Sequence, residues 1–431
     1  MTGFFKLKEH GTDVKTEIIG GMTTFLTMAY IIFVNPMILS EAGMDKPALI
    51  TVTCLAAALG TFLVGIWANV PFAMAPGMGL NAFFTYTLVM GQGLDWQTAL
   101  GVVFISGIAF LILTVVGIRE KVVTAIPIEL RIATAAGIGL FIAFIGMKNL
   151  GLIVNSPATL VSMGPLTTPV LIGLVSLVVI TVLEVRKIKG AILLGIVFAT
   201  LLGILFGEVS MPEQWISTPP SIAPIAFKLD IMAALQWGLI GAIFSFMFVD
   251  LFDSIGTIVA CSYEAGYVKP DGTIKKIDKV LEADAVATIA GSLLGTSTTT
   301  TYIESASGIG DGARTGLASV VTATLFLLAL FLAPLIGTVP SFATAPALII
   351  VGVYMFRNIK EIDFKNLKVG VPAFLTIVLM PLTFSIATGL TLGFLSYILI
   401  AVFSGDFKKI SPVMWVVGLL SAINLVCSAG N

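Results

Sequence analysis

Two carboxylates, Asp250 and Asp253, lie three residues apart in FMFVDLFDSIGT (246–257), inside an apolar run from about 233 to 260. Each acid costs about 2.5–3.5 kcal/mol at the centre of a membrane-spanning helix, so a compensating role is expected. Residues three apart share a helix face, and Gly256 and Thr257 continue it. Burial and like charge oppose keeping both ionised. The pair, Asp250 above all, is therefore a candidate proton carrier. The alternatives are a structural ion pair, or for Asp253 a role in orienting its neighbours. An ion pair would find few partners, because Arg131 and Arg314 are both expected near one membrane surface. A third acid, Glu304, and an amide, Asn81, stand in two further segments whose backbone is unusual.

The elements that must position these groups belong to a polytopic membrane protein. Of 431 residues, 57% are apolar and 11% charged, against about 25% charged in soluble domains; mean hydropathy is +1.06. Nothing resembles a cleaved signal peptide, since the first apolar run (17–39) is too long for one. Cys54, Cys261 and Cys427 form neither a disulfide framework nor a metal spacing. The single histidine, His10, precedes the first span. Histidine metal sites and intramembrane histidine chemistry are thereby excluded, and neither metal nor cofactor is expected. A net charge of −1 without a basic stripe excludes nucleic acid as a partner.

A helical span takes about 20 mostly apolar residues. Such segments fall near 17–39, 48–70, 71–91, 97–118, 130–149, 168–185 and 189–207. A second set falls near 233–260, 280–295, 297–315, 316–337, 342–357, 370–384 and 385–404. The run 413–427 is short for a span and is expected in the interface or at a corner. With a cytoplasmic N-terminus, every lysine and arginine except Lys46, Lys148 and Lys228 falls in an inner loop. That bias supports fourteen spans in a cell membrane, with the N-terminus and the residues after 404 both cytoplasmic. Seven spans per half make the second half enter from the opposite side, the arithmetic of an inverted repeat. ATAAGIGLFIAF (133–144) and ATAPALIIVGVY (343–354) open alike and hold corresponding places.

The third and tenth segments are poor helices. PFAMAPGMGLNAFFTYTLVM (71–90) places Pro71, Pro76, Gly77 and Gly79 in its first half, where a continuous helix would break. GTSTTTTYIESASGIGDGARTG (295–316) opens on a β-branched run that leans extended. Each is expected to be a short extended piece meeting a half-helix. Broken backbone at membrane depth is tolerated where it is buried in protein or lines a cavity. The half-helix N-termini would present unpaired N–H groups there, with Asn81 and Glu304 beside them. The structural alternatives are a kink at 71–79, threonines bonded back to their own helix, capping by Asn81 and a dipole-satisfied Glu304.

PGMGLNAFF (76–84), FVDLFDSIGT (248–257), GTSTTTTYIESASG (295–308) and EIIGGMTTFLTMAYIIFVNP (17–36) resemble, in order and over nearly the whole chain, the AzgA-like purine permeases of the nucleobase/ascorbate transporter superfamily. Ser254 stands where those proteins often carry Thr. The resemblance implies an all-α fold of fourteen segments in two inverted repeats of seven. A core domain would be formed by 1–129 and 233–341, and a gate domain, which also mediates a homodimer, by 130–232 and 342–431. It implies proton-coupled import of adenine, guanine or hypoxanthine, with substrate groups on Asn81, Asp250 and Glu304 and with Asp253 beside them. A purine is flat, neutral and rich in N–H donors, which fits acceptor carboxylates and an amide that both donates and accepts. Backbone from Ala75 to Gly79 and from Tyr302 through Ile303 to Ser305 could read the remaining edge. Phe83, Phe248, Phe252 and Tyr302 could stack on the ring or serve packing alone.

Four rival classes remain at this level, among them a purely structural or channel role, which needs no proton-titrating pair beside broken helices. Uracil or xanthine transport is chemically closest. An inorganic anion is disfavoured by carboxylates without a cation in the half-helix motifs. GIGD (308–311) and PAL (346–348) resemble the motifs of intramembrane aspartyl proteases, but Val249 stands where that pattern wants Tyr and the span count is too large.

Overall fold

The computed structural model describes residues 2–117, 126–268 and 274–429; Arg119, Lys121 and Lys269, counted above as inner-loop cations, lie outside them. The first run becomes α1 (Val14–Met28) and α2 (Ile31–Ser40), interrupted at Ala29 and Tyr30. Then come α3 (Lys46–Trp67), β1 (Met74–Pro76) and α4 (Met78–Ala82), which continues as a π-helix through Phe83–Gly91. α5 (Trp96–Val116), α6 (Ile128–Leu150), a β2–β3 hairpin (Ile153–Ser156, Leu160–Met163), α7 (Thr168–Val185) and α8 (Ala191–Leu205) complete the first half. The second half holds α9 (Ile240–Glu264), α10 (Ile277–Leu294), β4 (Thr299–Thr301) and the six-residue α11 (Ser305–Gly310). It ends with α12 (Gly316–Ala329), α13 (Ser341–Phe356), α14 (Leu367–Leu382), α15 (Ile386–Phe403) and α16 (Pro412–Ala429). Among the described residues, nine helical stretches are long and apolar enough to cross a membrane.

Local chemistry sets several of the boundaries. Asp13 and Asp45 cap α1 and α3 by accepting the N–H groups of Thr16 and Ala48, each at 2.8 Å. Gly151 ends α6 at a φ of 81°, a conformation that favours glycine. Helices approach closely where both sides are small, the usual solution without a hydrophobic drive between helices. A Cβ on Gly316 would lie 1.8 Å from the Gly65 carbonyl oxygen, so α3 and α12 touch backbone to backbone. Gly139 and Gly352 do the same for α6 and α13. The two segments with the shared ATA opening therefore pack against each other.

The two interrupted segments meet at the centre. β1 and β4 pair antiparallel, with Met74 opposite Thr301, Ala75 opposite Thr300 and Pro76 opposite Thr299, and all six residues are buried. Flanking bonds extend the ladder: Gly77 N–H to the Thr298 carbonyl and Tyr302 N–H to the Ala73 carbonyl, each at 2.9 Å. Side chains close the remainder. Thr61 Oγ1 accepts Met74 N–H at 2.9 Å, and Ser305 Oγ accepts Ala73 N–H at 2.9 Å. An unpaired backbone group in hydrocarbon costs several kcal/mol; each broken segment supplies what the other lacks.

The run 413–427, expected in the interface or at a corner, is part of α16, whose Gly418 packs on Ile398 of α15 and whose Leu420 and Ser421 border the same small space as Leu390 and Thr391. Its 18 residues run alongside α15 in the opposite direction, because Met414, Val417 and Ser421 form a buried stripe. The β2–β3 hairpin has no clear signal in 150–167, since its strands are four residues each and Leu160 and Val161 are exposed.

Candidate functional site

A cavity of ≈ 470 Å³ opens beside the paired breaks. One wall consists of Tyr30, Gly77, Met78, Gly79 and, from the second break, Thr300 through Glu304. α9 contributes Phe252, Asp253, Gly256 and Thr257. The facing wall is α6 and the end of α13, including Thr134, Ile138 and Tyr354. Gly79 abuts this wall; a Cβ there would lie 2.6 Å from Ile138 Cγ2. The cavity extends to Ile128, Arg131, Arg357 and Asn358, so it opens at that end of the molecule. A second cavity of ≈ 440 Å³ shares Ile303, Glu304, Tyr354 and Arg357 with it, placing Glu304 at the partition.

A polar and aromatic cluster occupies the opposite end. Lys148 and Asn149 lie about 30 Å along α6 from Ile128, at 1.5 Å per residue. Glu41 Oε1 accepts from the Tyr86 hydroxyl at 2.9 Å and from the Asn149 amide at 3.0 Å, while Lys148 Nζ stands 3.6 Å from Oε2. The Lys148 ammonium also lies over the Tyr86 ring at 5.1 Å. Phe384 packs against Tyr86, Phe141 and Phe144 and accepts the Thr87 hydroxyl on its carbonyl at 3.1 Å.

The expected site residues divide into two groups. Gly79, Tyr302, Ile303, Glu304 and Asp253 line the cavity. Asn81, Phe83 and Asp250 do not. Asn81 lies on the turn of α4 that faces α2, where its amide donates to Asn35 Oδ1 at 2.7 Å; Asn35 in turn donates to Thr53 and Thr296. Phe83 is fully buried against Phe246, with ring centroids 4.7 Å apart. Asp250, 2% exposed, is turned away from the cavity, although Val249 beside it lines the wall. Its Oδ2 is 3.5 Å from Thr288 Oγ1, and its Oδ1 has no hydrogen-bond partner among the described residues. The Tyr302 ring lines the cavity while its hydroxyl ties the breaks together, donating to the Pro76 carbonyl at 2.6 Å. Phe252 is on the wall; Phe248 lies behind it, edge to face at 4.5 Å.

Glu304 caps a helix of only six residues, too short for a large dipole. What holds its carboxylate is Tyr30, whose hydroxyl donates to Oε1 at 2.5 Å. Tyr30 and Asp284 are both absent from the sequence-level site. Asp284, in LEADAVATIAG of α10, accepts from Ser254 at 2.5 Å and from Thr301 at 3.3 Å. Ser254 is also 2.7 Å from Thr300 Oγ1, so hydroxyls link α9, α10 and β4 behind the cavity. An acid inside span 280–295 was the available signal for Asp284; Tyr30 offered none, because the interruption of α1 shows in no proline or glycine. Asp311, the GIGD acid, pairs with Lys189 and accepts the Thr23 hydroxyl at 2.6 Å, away from the cavity. Among the described residues, no lysine or arginine forms an ion pair with Asp250, Asp253, Asp284 or Glu304.

Comparison with known proteins sets the chain among permeases. The sequence profile described as the permease family, Xan_ur_permease, matches residues 15–392. The chain is 50% identical to a putative permease of Methanocaldococcus jannaschii over 99% of this chain and 98% of that protein. It is 45% identical to an adenine permease of Escherichia coli (98% and 95% covered). A guanine/hypoxanthine permease of Bacillus subtilis is 44% identical (96% and 97%). Among solved structures, the fold is similar to the transmembrane domain of a cyanobacterium bicarbonate transporter, with a TM-score of 0.67 at 16% identity, covering 88% of this chain and 97% of that one.

Proposed function

This chain belongs to the permease family, and from that membership we propose that it imports purine nucleobases (guanine, hypoxanthine or adenine) together with protons across the cytoplasmic membrane. The observation that carries the reading is the cavity beside the paired breaks, with the carboxylates of Asp253 and Glu304 on its wall. Acceptors of this kind suit a flat neutral base rich in N–H groups. They do not suit an inorganic anion. The names of the relatives point the same way, to adenine and to guanine with hypoxanthine.

The fourteen segments, the inverted repeats and the core and gate domains belong to this proposal, as does a homodimer formed through the gate. So does orientation. The loop charge bias makes the Arg131 and Arg357 end cytoplasmic, so the cavity faces inward here and the Glu41 cluster seals the outside. The cycle then runs by alternating access. The base binds against Asp253 and Glu304, a proton resides on the buried acids Asp250 and Asp284, and the core moves against the gate. A carboxylate neutralised at one stage crosses the low-dielectric barrier more readily than a charged one.

Uptake by a purine-auxotrophic host, over a panel of bases with and without an uncoupler, tests this reading. Purines are expected to accumulate and the uncoupler to abolish the accumulation. Preference for uracil or xanthine would replace the substrate class, and uncoupler-insensitive accumulation would remove the proton. The seal has its own measurement. Lys148→Met should raise the labelling rate of an Ile303→Cys thiol by an impermeant maleimide outside the cell. The expected rise is up to roughly fivefold, since partly exposed ion pairs are worth at most about 1 kcal/mol. Unchanged labelling would show that the ion pair does not hold the closed end.

A further inference from the structure

We propose that the cavity also takes a purine nucleoside 5′-monophosphate, base toward the acids and phosphate on Arg131 and Arg357, which inhibits the protein from the cavity's open end; this rests on the nucleobase reading above. The two ends of the cavity differ in charge. Asp253 and Glu304 stand beside the paired breaks, and Arg131 and Arg357 stand toward the opening. Helix packing brings the arginines to one place. α6 and α13 run antiparallel, Gly139 against Gly352 and Gly146 against Ala345, so the start of α6 lies beside the end of α13. Arg131 is in the first turn of α6, and Arg357 directly follows the last residue of α13. Neither guanidinium forms an ion pair among the described residues, and Arg131 Nε is buried without an acceptor there. Glu129 shares the first turn of α6 but is outside the cavity lining. Loop charge bias explains why these cations sit at one membrane surface. It does not explain why both line a single cavity, where a buried donor without a partner is costly.

The spacing suits a ligand with two unlike ends. Ile138, which abuts Gly79 beside the breaks, is seven residues along α6 from Arg131, about 10 Å at 1.5 Å per residue. Thr134 and Ala135 line the interval. A nucleoside monophosphate carries an N–H-bearing base at one end, a phosphate at the other and a ribose between. The base matches the acid end, as a free base does. The phosphate matches two guanidinium groups, whose planar forks pair with phosphate oxygens. A free base reaches one end alone, and inorganic phosphate the other. At ≈ 470 Å³ the cavity is in the range that encloses ligands larger than a base. A nucleotide bound to this open arrangement and not to others would raise its population. Import would then slow when the nucleotide made from the imported base is abundant on that side.

The test is displacement of labelled hypoxanthine and labelled adenine from the purified full-length protein, each by its own nucleoside and nucleoside 5′-monophosphate. The monophosphate should displace the bound base at a concentration about tenfold or more below that of the nucleoside, the size of one charged hydrogen bond. Arg357→Gln should shrink that ratio by about threefold or more, and the double variant Arg131→Gln with Arg357→Gln should bring it to about one. A monophosphate no better than its nucleoside overturns the proposal, as does an advantage that survives in Arg357→Gln. Inorganic phosphate at the same concentration should leave the base bound; displacement by phosphate alone would show a general anion effect and overturn it too. Arg357 is exposed, so its single variant decides where the double variant does not fold. Loss of base binding itself in Arg357→Gln would place that arginine in the base site and overturn the assignment. A wild type that binds neither base brings down the nucleobase reading. One that binds a base without gaining from the phosphate brings down this inference alone.

Discussion

Glu304→Gln is expected to lower the uptake efficiency of every accepted purine by roughly 10-fold to 150-fold, with the protein still present in the membrane. Glutamine keeps the shape and can still accept the Tyr30 hydroxyl on its oxygen. The position facing the ligand, however, changes from an anionic acceptor to an N–H₂ donor. A hydrogen bond to a charged partner is worth about 1.5–3 kcal/mol, which is the quoted range at about 1.4 kcal/mol per decade. A donor set against a donor N–H on the base adds to the loss. Initial-rate uptake at several concentrations, normalised to membrane-inserted protein, measures it. A Glu304→Gln protein within about threefold of wild type would show that the partition between the two cavities is not where the base binds.

Asp250→Asn is expected to separate binding from accumulation. Asp250 is buried outside the cavity lining, so equilibrium binding should change little. Asparagine cannot take up and release a proton, so the drive should vanish. For one proton per base, one pH unit supports about a tenfold concentration ratio, because it supplies about 1.36 kcal/mol. The expected ratio in Asp250→Asn vesicles under that gradient is about one, with exchange of labelled for unlabelled base preserved. Vesicles that still concentrate purine along the gradient would remove Asp250 from the coupling and leave Asp284 or Asp253 to carry it. Asp253→Asn differs from this pattern: it lines the cavity, and its loss should weaken binding itself.

Legibility followed the range of the interactions involved. Asp250 and Asp253 share a helix face because a 3.6-residue period requires it, and both occur on α9 as expected. Which of them meets the ligand space was not readable. Three residues fall about 60° short of a full turn, and the packing of α9 against α10, where Asp250 meets Thr288, leaves Asp253 toward the cavity and Asp250 away from it. Asn81 stands on a short half-helix as expected, and α4 turns it toward Asn35, outside the cavity lining. Tyr30 was missed because no local rule marks the interruption of α1.

What the sequence by itself determined is the membrane class, most helix positions and the two interrupted segments. Hydrophobic length, proline and glycine placement and β-branched runs are local properties, and a bilayer leaves them few alternatives. Tertiary structure alone decided that the interrupted segments pair strand to strand, Met74 with Thr301, and that Tyr30 rests on Glu304. Those contacts join residues from opposite halves of the chain. Their register is set by how α3, α9, α10 and α12 pack around them, and no spacing within either segment encodes that packing.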